Sequence, residues 1–228
     1  MTAGRARPDP AAGEEECARA RFVRAHCALR PVPTVPEIRL HLAQDAFALW
    51  ERTEDAAGQR EQPPPFWAFA WPGGLALARY LLDHRVLVAG CSVLDLGAGS
   101  GLVAIAAALA GAGPVLASEV DALARTAIRL NAAANDAAIA NRGDMLGGDC
   151  EDAGVVLAAD VWYERDLASR TAGLLARAGH RGARVLAADV GRAFLPRDLF
   201  REVASYEVPV LADLEDAEVK RVQILTLR

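Results

Sequence analysis

The sequence contains few of the residues that build metal centres or disulfide frameworks. Its 228 residues include four cysteines and four histidines. None of the cysteines stand in a C-x-x-C spacing, and the histidines are scattered along the chain instead of paired. Zinc sites and disulfide scaffolds both depend on such spacings. We therefore predict a protein that has neither a metal site nor a disulfide framework.

Long apolar runs and long basic runs are also missing. Because a spanning helix needs about eighteen or more uncharged apolar residues, we predict no contact with a membrane. The amino terminus has charges and prolines but no apolar signal core, which predicts a cytoplasmic protein. The net charge of −5 argues against nucleic acid as the main partner. The length suits one large α/β domain with an amino-terminal extension, and we expect a monomer.

The chain does contain a glycine turn between a short apolar stretch and an alanine-rich stretch. Residues Ser92–Leu96 are predicted to form a buried strand of a parallel sheet, and Leu102–Gly111 favours a helix that ends at glycine. Gly97, Gly99 and Gly101 allow a sharp turn between them. A helix that begins at such a turn offers free N–H groups. This arrangement predicts a nucleotide-type binding site.

Two carboxylates narrow the choice of ligand. Pro114–Ser118 is predicted to be the next strand, and Glu119 at its end can bind the hydroxyls of a ribose. Asp95 stands two residues before Gly97, where a carboxylate repels phosphate but suits a cation. The glycine spacing is G-x-G-x-G, whereas a dinucleotide site uses G-x-G-x-x-G. We predict S-adenosylmethionine as the cofactor, with a nicotinamide-dependent dehydrogenase as the rival.

The same set of features resembles the seven-strand, Rossmann-like (class I) methyltransferases. Two flanking segments, Pro65–Gly74 and Ala159–Glu164, are similar to the protein-lysine methyltransferase group that includes the enzyme modifying the beta subunit of electron transfer flavoprotein. The resemblance extends from about Pro36 to the carboxyl terminus. It implies an α/β fold with a seven-strand sheet, an antiparallel last strand at Val219–Leu227, and an amino-terminal helix and β-hairpin extension.

The amino-terminal extension is divided by its composition. We predict a tail and helix over residues 1–35 and a methyltransferase domain over residues 36–228. Glu14–Leu29 favours a helix, which either covers an edge of the domain or closes over the substrate side. Arg30–Pro36 contains three prolines and is predicted to be a linker. The hairpin implied by the resemblance falls on the stretch from Glu37 to Glu54.

Further cofactor contacts follow from the motif positions. Trp71 and Gly73 are predicted to form part of a wall beside the cofactor, with the Trp71 ring against the methionine part of the cofactor or its sulfonium. The alternative is a hydrophobic staple that packs on the sheet. The resemblance implies that an acid after the third strand accepts the adenine amino group, and Asp144 is the first candidate before Asp149. It also implies that the pair Asn131 and Asn135 braces loops of the site, against the alternative of a solvated polar stripe.

The predicted chemistry needs a carboxylate beside the methyl donor. A lysine amine has a pKa of about 10.4, so a neutral amine at pH 7 costs roughly 4–5 kcal/mol. Apolar walls lower that cost, and a carboxylate can orient the amine. Asp160 follows the apolar strand Val155–Ala159 at the edge where such sheets bind ligands. The alternative role for Asp160 is to cap the helix that follows.

The resemblance assigns roles to these residues. Asp160 and Tyr163 match the group's acid-x-x-aromatic motif, tied to the target lysine, and are the candidate catalytic residues; Asp160 is also a candidate cofactor contact. Trp162 is a candidate wall of the substrate site. Asp189 and Arg192, at the end of the next strand, match the group on the substrate side.

We therefore predict transfer of a methyl group to a lysine amine of a protein, with the beta subunit of electron transfer flavoprotein as the leading acceptor by resemblance. A small-molecule N-methyltransferase or a ribosomal-protein methyltransferase is the second possibility. The third, of a different class, is a catalytically silent scaffold that keeps the cofactor site.

Overall fold

The computed structural model describes residues 10–58, 63–148, 152–210 and 218–228. The helices in this part of the chain are α1 (Pro10–His26), α2 (Ala46–Ala57), α3 (Pro72–Asp83), α4 (Leu102–Leu109), α5 (Ala122–Ala134) and α6 (Arg165–His180). The strands are β1 (Ala28–Val32), β2 (Val35–Leu42), β3 (Val93–Leu96), β4 (Val115–Ser118), β5 (Ile139–Arg142), β6 (Val155–Ala159), β7 (Arg184–Asp189), β8 (Phe200–Pro209) and β9 (Val219–Leu227).

Seven strands form one sheet in the order β5-β4-β3-β6-β7-β9-β8. The five strands from β5 to β7 are parallel, whereas β9 runs antiparallel to both β7 and β8. The predicted seven-strand sheet with an antiparallel last strand is confirmed. The chain moves outward from β3 in one direction and returns to start β6 on the other side of β3. Open α/β sheets bind ligands at such a switch point, outside the carboxyl ends of the strands.

Both faces of the sheet are covered by helices, as its continuous apolar strands require. In β6, Val155 and Leu157 pack into the core cluster that also contains residues of α3 and α4. The alternate residues Val156 and Ala158 pack with Leu174 on α6. Because β6 packs against helices on both of its faces, its orientation is fixed. Its last residues lie at the switch point between β3 and β6.

The amino-terminal extension differs from the sequence prediction. Arg30–Pro36 is not a linker, because β1 and β2 form an antiparallel hairpin through this stretch, with Thr34 at a positive φ of 69° in its turn. Proline is tolerated there because β1 is an edge strand. The hairpin implied by the resemblance therefore exists but lies earlier in the chain than expected. The boundary predicted between residues 35 and 36 falls inside it, and the division into two domains stays a prediction.

The stretch after the hairpin is a helix and not its second strand. Asp45 begins α2, and its carboxylate accepts a hydrogen bond from the Ala48 N–H at 2.9 Å. Such N-terminal caps satisfy an otherwise free helix N–H. The second strand of the hairpin expected between Glu37 and Glu54 is therefore replaced by a helix from Ala46.

Helix α1 packs on α5 instead of the site. The Glu16 carboxylate accepts a hydrogen bond from the Thr126 hydroxyl at 3.0 Å and pairs with the Arg129 guanidinium. Val23 and Cys27 are buried in the same interface region with Trp67. These contacts fit the interpretation in which the helix covers an edge of the domain. In the described part of the chain, no helix has the length and apolar character needed to cross a membrane.

Two asparagines, Asn131 within α5 and Asn135 directly after it, bind the hairpin, and Asn131 also binds the glycine turn. The Asn135 side chain accepts from the Arg39 N–H at 2.8 Å and donates to the Arg39 carbonyl at 2.7 Å. The buried Asn131 side chain accepts from the His41 N–H at 2.8 Å and donates to the Ser100 carbonyl at 2.9 Å. These contacts match the bracing interpretation and contradict the solvated stripe.

We expect Asn131→Ala to destabilise the protein and to weaken binding of the predicted cofactor. The change leaves the His41 N–H and the Ser100 carbonyl without this partner, at a cost of about 1–3 kcal/mol in the free energy of unfolding. Urea unfolding and calorimetric titration with S-adenosylhomocysteine measure the two effects. Asn135→Ala is the matched control, since it loosens the hairpin but leaves the contact to the glycine turn. Equal ligand affinity in both variants would contradict the brace.

Candidate functional site

The glycine turn presents backbone to the crevice at the end of β3. Gly97, Gly99 and Gly101 all adopt positive φ angles, of 63°, 51° and 82°. At Gly101, which begins α4, an added Cβ would also lie only 3.3 Å from Ile128. The positive φ angles favour glycine at these three positions, and the turn leads directly into the amino end of α4.

Glu119 contacts this turn directly. One of its carboxylate oxygens accepts a hydrogen bond from the Gly99 N–H at 2.9 Å, and the other accepts from the Asp121 N–H at 3.0 Å. Asp121 in turn caps α5 by accepting from the Leu123 N–H at 2.7 Å. The acid after the second strand of the parallel core is thus beside the glycine turn, where a ribose contact requires it.

Asp95 lies beneath the turn and is only 2% exposed. Its carboxylate accepts from the Ala104 N–H at 3.0 Å and so ties the first turn of α4 to β3. Burial raises the pKa of Asp95 to about 7, the hydrogen bond from Ala104 opposes this shift, and the charge of Glu119 adds to it. Asp95 is therefore a buried contact that holds α4 against β3 and not an exposed ligand, so its predicted direct contact with the cofactor is corrected by this burial.

The segment Ala159–Glu164 contacts the segment Pro65–Gly74 through Asp160. This residue has a left-handed φ of 59°, which is uncommon for a residue that is not glycine. One carboxylate oxygen accepts from the Gly74 N–H at 2.9 Å, and the other accepts from the Arg192 guanidinium at 2.7 Å. The helix that Asp160 caps is therefore α3, which begins at the Trp-Pro-Gly-Gly segment. The alternative role considered for Asp160, a cap on the following helix, is not observed, because Glu164 stands at the start of α6.

Gly73 is the reason that α3 can approach Asp160 so closely. An added Cβ at Gly73 would lie 2.6 Å from the Asp160 carboxylate and 2.8 Å from the Ala188 carbonyl. Burial raises the pKa of Asp160 to about 6, while the neighbouring Arg192 charge lowers it. The structure thus brings the two flanking motifs together at one buried carboxylate that titrates near neutral pH.

Asp189 and Arg192 lie at the site but face each other. Asp189 is fully buried, and its carboxylate accepts from the backbone N–H groups of Gly191 and Arg192 at 2.7 and 2.6 Å and from the Arg192 guanidinium at 3.0 Å. The prediction that Asp189 contacts the substrate is corrected by this burial. The end of the strand was correctly located, but the sequence did not reveal which side chains pair inside it.

The aromatic residues of the two motifs divide between rim and core. Tyr163 is 53% exposed, and its ring centroid lies 5.8 Å from that of Phe66. Trp71 contacts the same Phe66, with ring centroids 5.7 Å apart and a hydrogen bond from its indole N–H to the Phe66 carbonyl at 2.7 Å. We call Phe66, Trp71 and Tyr163, whose rings contact one another through Phe66, the aromatic rim.

The prediction that Trp162 walls the substrate site is wrong. Trp162 is fully buried, and its ring packs against Phe200 at 5.7 Å in the core on the α6 side. Phe66 takes a place on the rim that sequence reasoning did not assign to it. The available signal was its position in the Pro65–Gly74 segment, next to the predicted Trp71.

Asp144, the first candidate for binding the adenine amino group, is exposed and forms an ion pair with Arg170. The Asp144 carboxylate accepts from the Arg170 guanidinium at 2.6 Å and from the Leu146 N–H at 2.8 Å. The Arg170 contact lowers the pKa of Asp144. Its loop is joined to the end of β4, because the Ser118 hydroxyl donates to the Gly143 carbonyl at 3.1 Å. The second candidate, Asp149, lies outside the described residues.

Known proteins are similar to this chain in sequence and in fold. A family model described as ribosomal protein L11 methyltransferase (PrmA) matches residues 76–159. The electron transfer flavoprotein beta subunit lysine methyltransferase of Xenopus laevis is 35% identical over 175 residues, which cover 75% of this chain and 70% of that protein. The Danio rerio protein of the same name is 37% identical over 161 residues, covering 69% of this chain and 61% of that protein.

The chain belongs to the electron transfer flavoprotein beta subunit lysine methyltransferase family. Its fold is shared by a putative RNA methyltransferase from Pyrococcus horikoshii, with a TM-score of 0.54 and 20% sequence identity over 73% of this chain and 90% of that one. The protein is an S-adenosylmethionine-dependent methyltransferase.

The residues present fit this cofactor. The glycine turn presents backbone at positive φ, Glu119 lies beside it where a ribose contact is needed, and Asp95 lies buried beneath it. A diphosphate would meet these two carboxylates, which disfavours the rival dinucleotide. Trp71 stands immediately before α3 and packs against Phe66 and Phe69, and its contact with the sulfonium stays a prediction.

We expect Glu119→Gln in this methyltransferase to weaken binding of S-adenosylhomocysteine by roughly tenfold to a hundredfold. The substitution removes a charged hydrogen bond to the ribose, and such bonds contribute about 1.5–3 kcal/mol. Isothermal titration calorimetry measures the dissociation constant. Asp121→Asn is the matched control, because it removes the same charge two residues away and keeps a side chain able to cap α5. The ribose assignment fails if both variants bind with equal affinity.

Proposed function

We propose that this methyltransferase modifies a lysine side-chain amine of a protein, and that its acceptor is the beta subunit of electron transfer flavoprotein. The observation that carries the proposal is the placement of Asp160, whose side chain is only 12% exposed and whose carboxylate accepts from the Gly74 N–H of α3 and from the Arg192 guanidinium. The exposed Tyr163 follows it in the same loop. The names of the relatives in Xenopus laevis and Danio rerio support the acceptor.

The chemistry requires alignment of three atoms and exclusion of water. When bound, S-adenosylmethionine would supply a methyl group on a sulfonium sulfur. The amine attacks the methyl carbon, and the sulfur leaves as S-adenosylhomocysteine. Phe66, Trp71 and Tyr163 offer an apolar entrance that disfavours the charged form of the incoming amine. Asp160 accepts an N–H of the neutral amine and so directs its lone pair. As the amine acquires the methyl group it becomes cationic, and the same carboxylate stabilises that charge.

A ribosomal protein is the second candidate acceptor. The family model that matches residues 76–159 is described as ribosomal protein L11 methyltransferase. This segment contains α4 and the strands around the glycine turn, which supports the cofactor more strongly than it supports the acceptor. A small-molecule amine is the third candidate acceptor, and a silent scaffold would have none. The proposal further includes a cytoplasmic monomer that binds neither nucleic acid nor membrane, in keeping with the net charge of −5.

Labelling with a tritiated methyl donor tests the proposal. The purified protein is incubated with the donor and, in separate reactions, with purified electron transfer flavoprotein beta subunit, ribosomal protein L11 or a small-molecule extract. We expect label in the flavoprotein subunit, and peptide mass spectrometry should locate it on a lysine side chain. Label in the ribosomal protein or in the small-molecule fraction alone would replace the proposed acceptor. Binding of donor without any labelled product would favour the scaffold.

A further inference from the structure

Asp160, Arg192 and Asp189 form one continuous chain of charged contacts. The Arg192 guanidinium nitrogen Nη1 lies 2.7 Å from the Asp160 carboxylate and 3.0 Å from the Asp189 carboxylate. Asp189 also holds the backbone of the loop, because its other oxygen accepts from the N–H groups of Gly191 and Arg192. The guanidinium is therefore fixed by its own loop where it meets Asp160.

We propose that Arg192 is a positioning residue: anchored by Asp189, it keeps Asp160 ionised and aimed for the target amine. This inference rests on the proposed function, in which Asp160 receives the amine. It replaces the expectation that Arg192 itself binds the substrate. The side chains support the assignment by their burial, since Asp160 is 12% and Arg192 20% exposed.

Arg192 supplies the positive charge in these surroundings. Among the described residues, β7 contributes Asp189 and the loop after it contributes Arg192, while the loop that carries Asp160 also carries Tyr163 and Glu164. Helix α3 contributes backbone N–H groups and has no acidic residue in its first turn. The left-handed backbone of Asp160 fixes its side chain between α3 and Arg192, so charge and direction are set together.

Burial and the neighbouring charges shift the pKa of Asp160 in opposite directions. Burial raises the pKa of Asp160 to about 6, Arg192 lowers it, and the negative charge of Asp189 raises it. With Arg192 in place, the carboxylate is mostly ionised at pH 7. Without Arg192, burial and the charge of Asp189 both raise the pKa, so protonation extends above neutral pH. A protonated Asp160 cannot stabilise the methylated ammonium.

Carbon-13 NMR of protein labelled at the aspartate carboxyl carbons tests this directly. The resonance that disappears in Asp160→Asn identifies Asp160. In Arg192→Gln we expect its titration midpoint to rise by roughly one to three pH units, whereas Arg192→Lys should stay near the wild type. Arg197→Gln is the matched control, because Arg197 donates to the Gly191 carbonyl of the same loop at 2.9 Å. An unchanged midpoint in Arg192→Gln would overturn the inference.

Kinetics separate this role from a merely structural one. The turnover number of Arg192→Gln relative to the wild type should be lowest at acid pH and should recover as the pH rises above the raised pKa of Asp160, with KM little changed. A ratio independent of pH would overturn the role. If Arg192→Gln does not fold, the charge-balanced double variant Asp189→Asn with Arg192→Gln takes its place and should also show a raised midpoint. The NMR titration needs no acceptor protein, so it stands even where the proposed acceptor fails.

Discussion

Replacing Asp160 by asparagine should reduce the rate of methyl transfer by about a hundredfold or more while donor affinity changes little. Asparagine has nearly the same shape and keeps an oxygen that can accept from the Gly74 N–H. It lacks the charge that we propose orients the amine and stabilises the methylated product. Arg192 stays paired with Asp189, so the loop should survive. Single-turnover kinetics measure the rate of the chemical step.

Calorimetric titration of Asp160→Asn with S-adenosylhomocysteine supplies the control for this prediction. Unchanged ligand affinity with lost transfer places the defect in the acceptor side of the site. If the variant transfers methyl groups at the wild-type rate, Asp160 does not receive the amine. A protein that binds donor and methylates nothing, with or without the substitution, would instead be the silent scaffold.

Gly73→Ala should disrupt the protein far more than Gly74→Ala, although the two glycines are neighbours. The new methyl group at Gly73 would collide with the Asp160 carboxylate and the Ala188 carbonyl, and backbone cannot yield cheaply. We expect a loss of about 1–3 kcal/mol in the free energy of unfolding. Because Asp160 must move, turnover should also fall by about a hundredfold.

Gly74→Ala provides the matched control within the same helical turn. Its new methyl group would lie 3.7 Å from Leu102, an ordinary contact, and the N–H that binds Asp160 is kept. Alanine favours the helix by up to about 1 kcal/mol, so stability should rise or stay level and turnover should stay near the wild type. Chemical denaturation and steady-state assays of both variants measure these effects. Equal damage at both positions would contradict the close approach of α3 to Asp160.

The sheet was predictable because its strands are short apolar stretches bounded by glycine and polar residues. Val155–Ala159 is predicted and observed with the same bounds, and the last strand also has the predicted bounds of Val219–Leu227. The hairpin at Ala28–Leu42 was missed in part because its prolines lie on an edge strand, where they remove no essential hydrogen bond. Local composition cannot distinguish such an edge from a linker.

The sequence predicted where the site residues lie on the sheet better than it predicted which side chains contact one another. Strand ends place Glu119 and Asp160 at the crevice, since parallel strands bring their carboxyl ends to one edge. Whether a side chain turns inward depends on neighbours distant in sequence, as the burial of Trp162 against Phe200 shows. The pairing of Arg192 with Asp160 joins residues 32 positions apart and leaves no local signal.

A crystal structure with S-adenosylhomocysteine tests the central claim most directly, because the sulfur marks the point from which the methyl group departs. We predict that the ribose contacts Glu119 at the glycine turn and that the sulfur lies in the opening between this turn and Asp160, beside Trp71. A ligand bound elsewhere, or a sulfur atom separated from Asp160 by the protein core, would contradict the account.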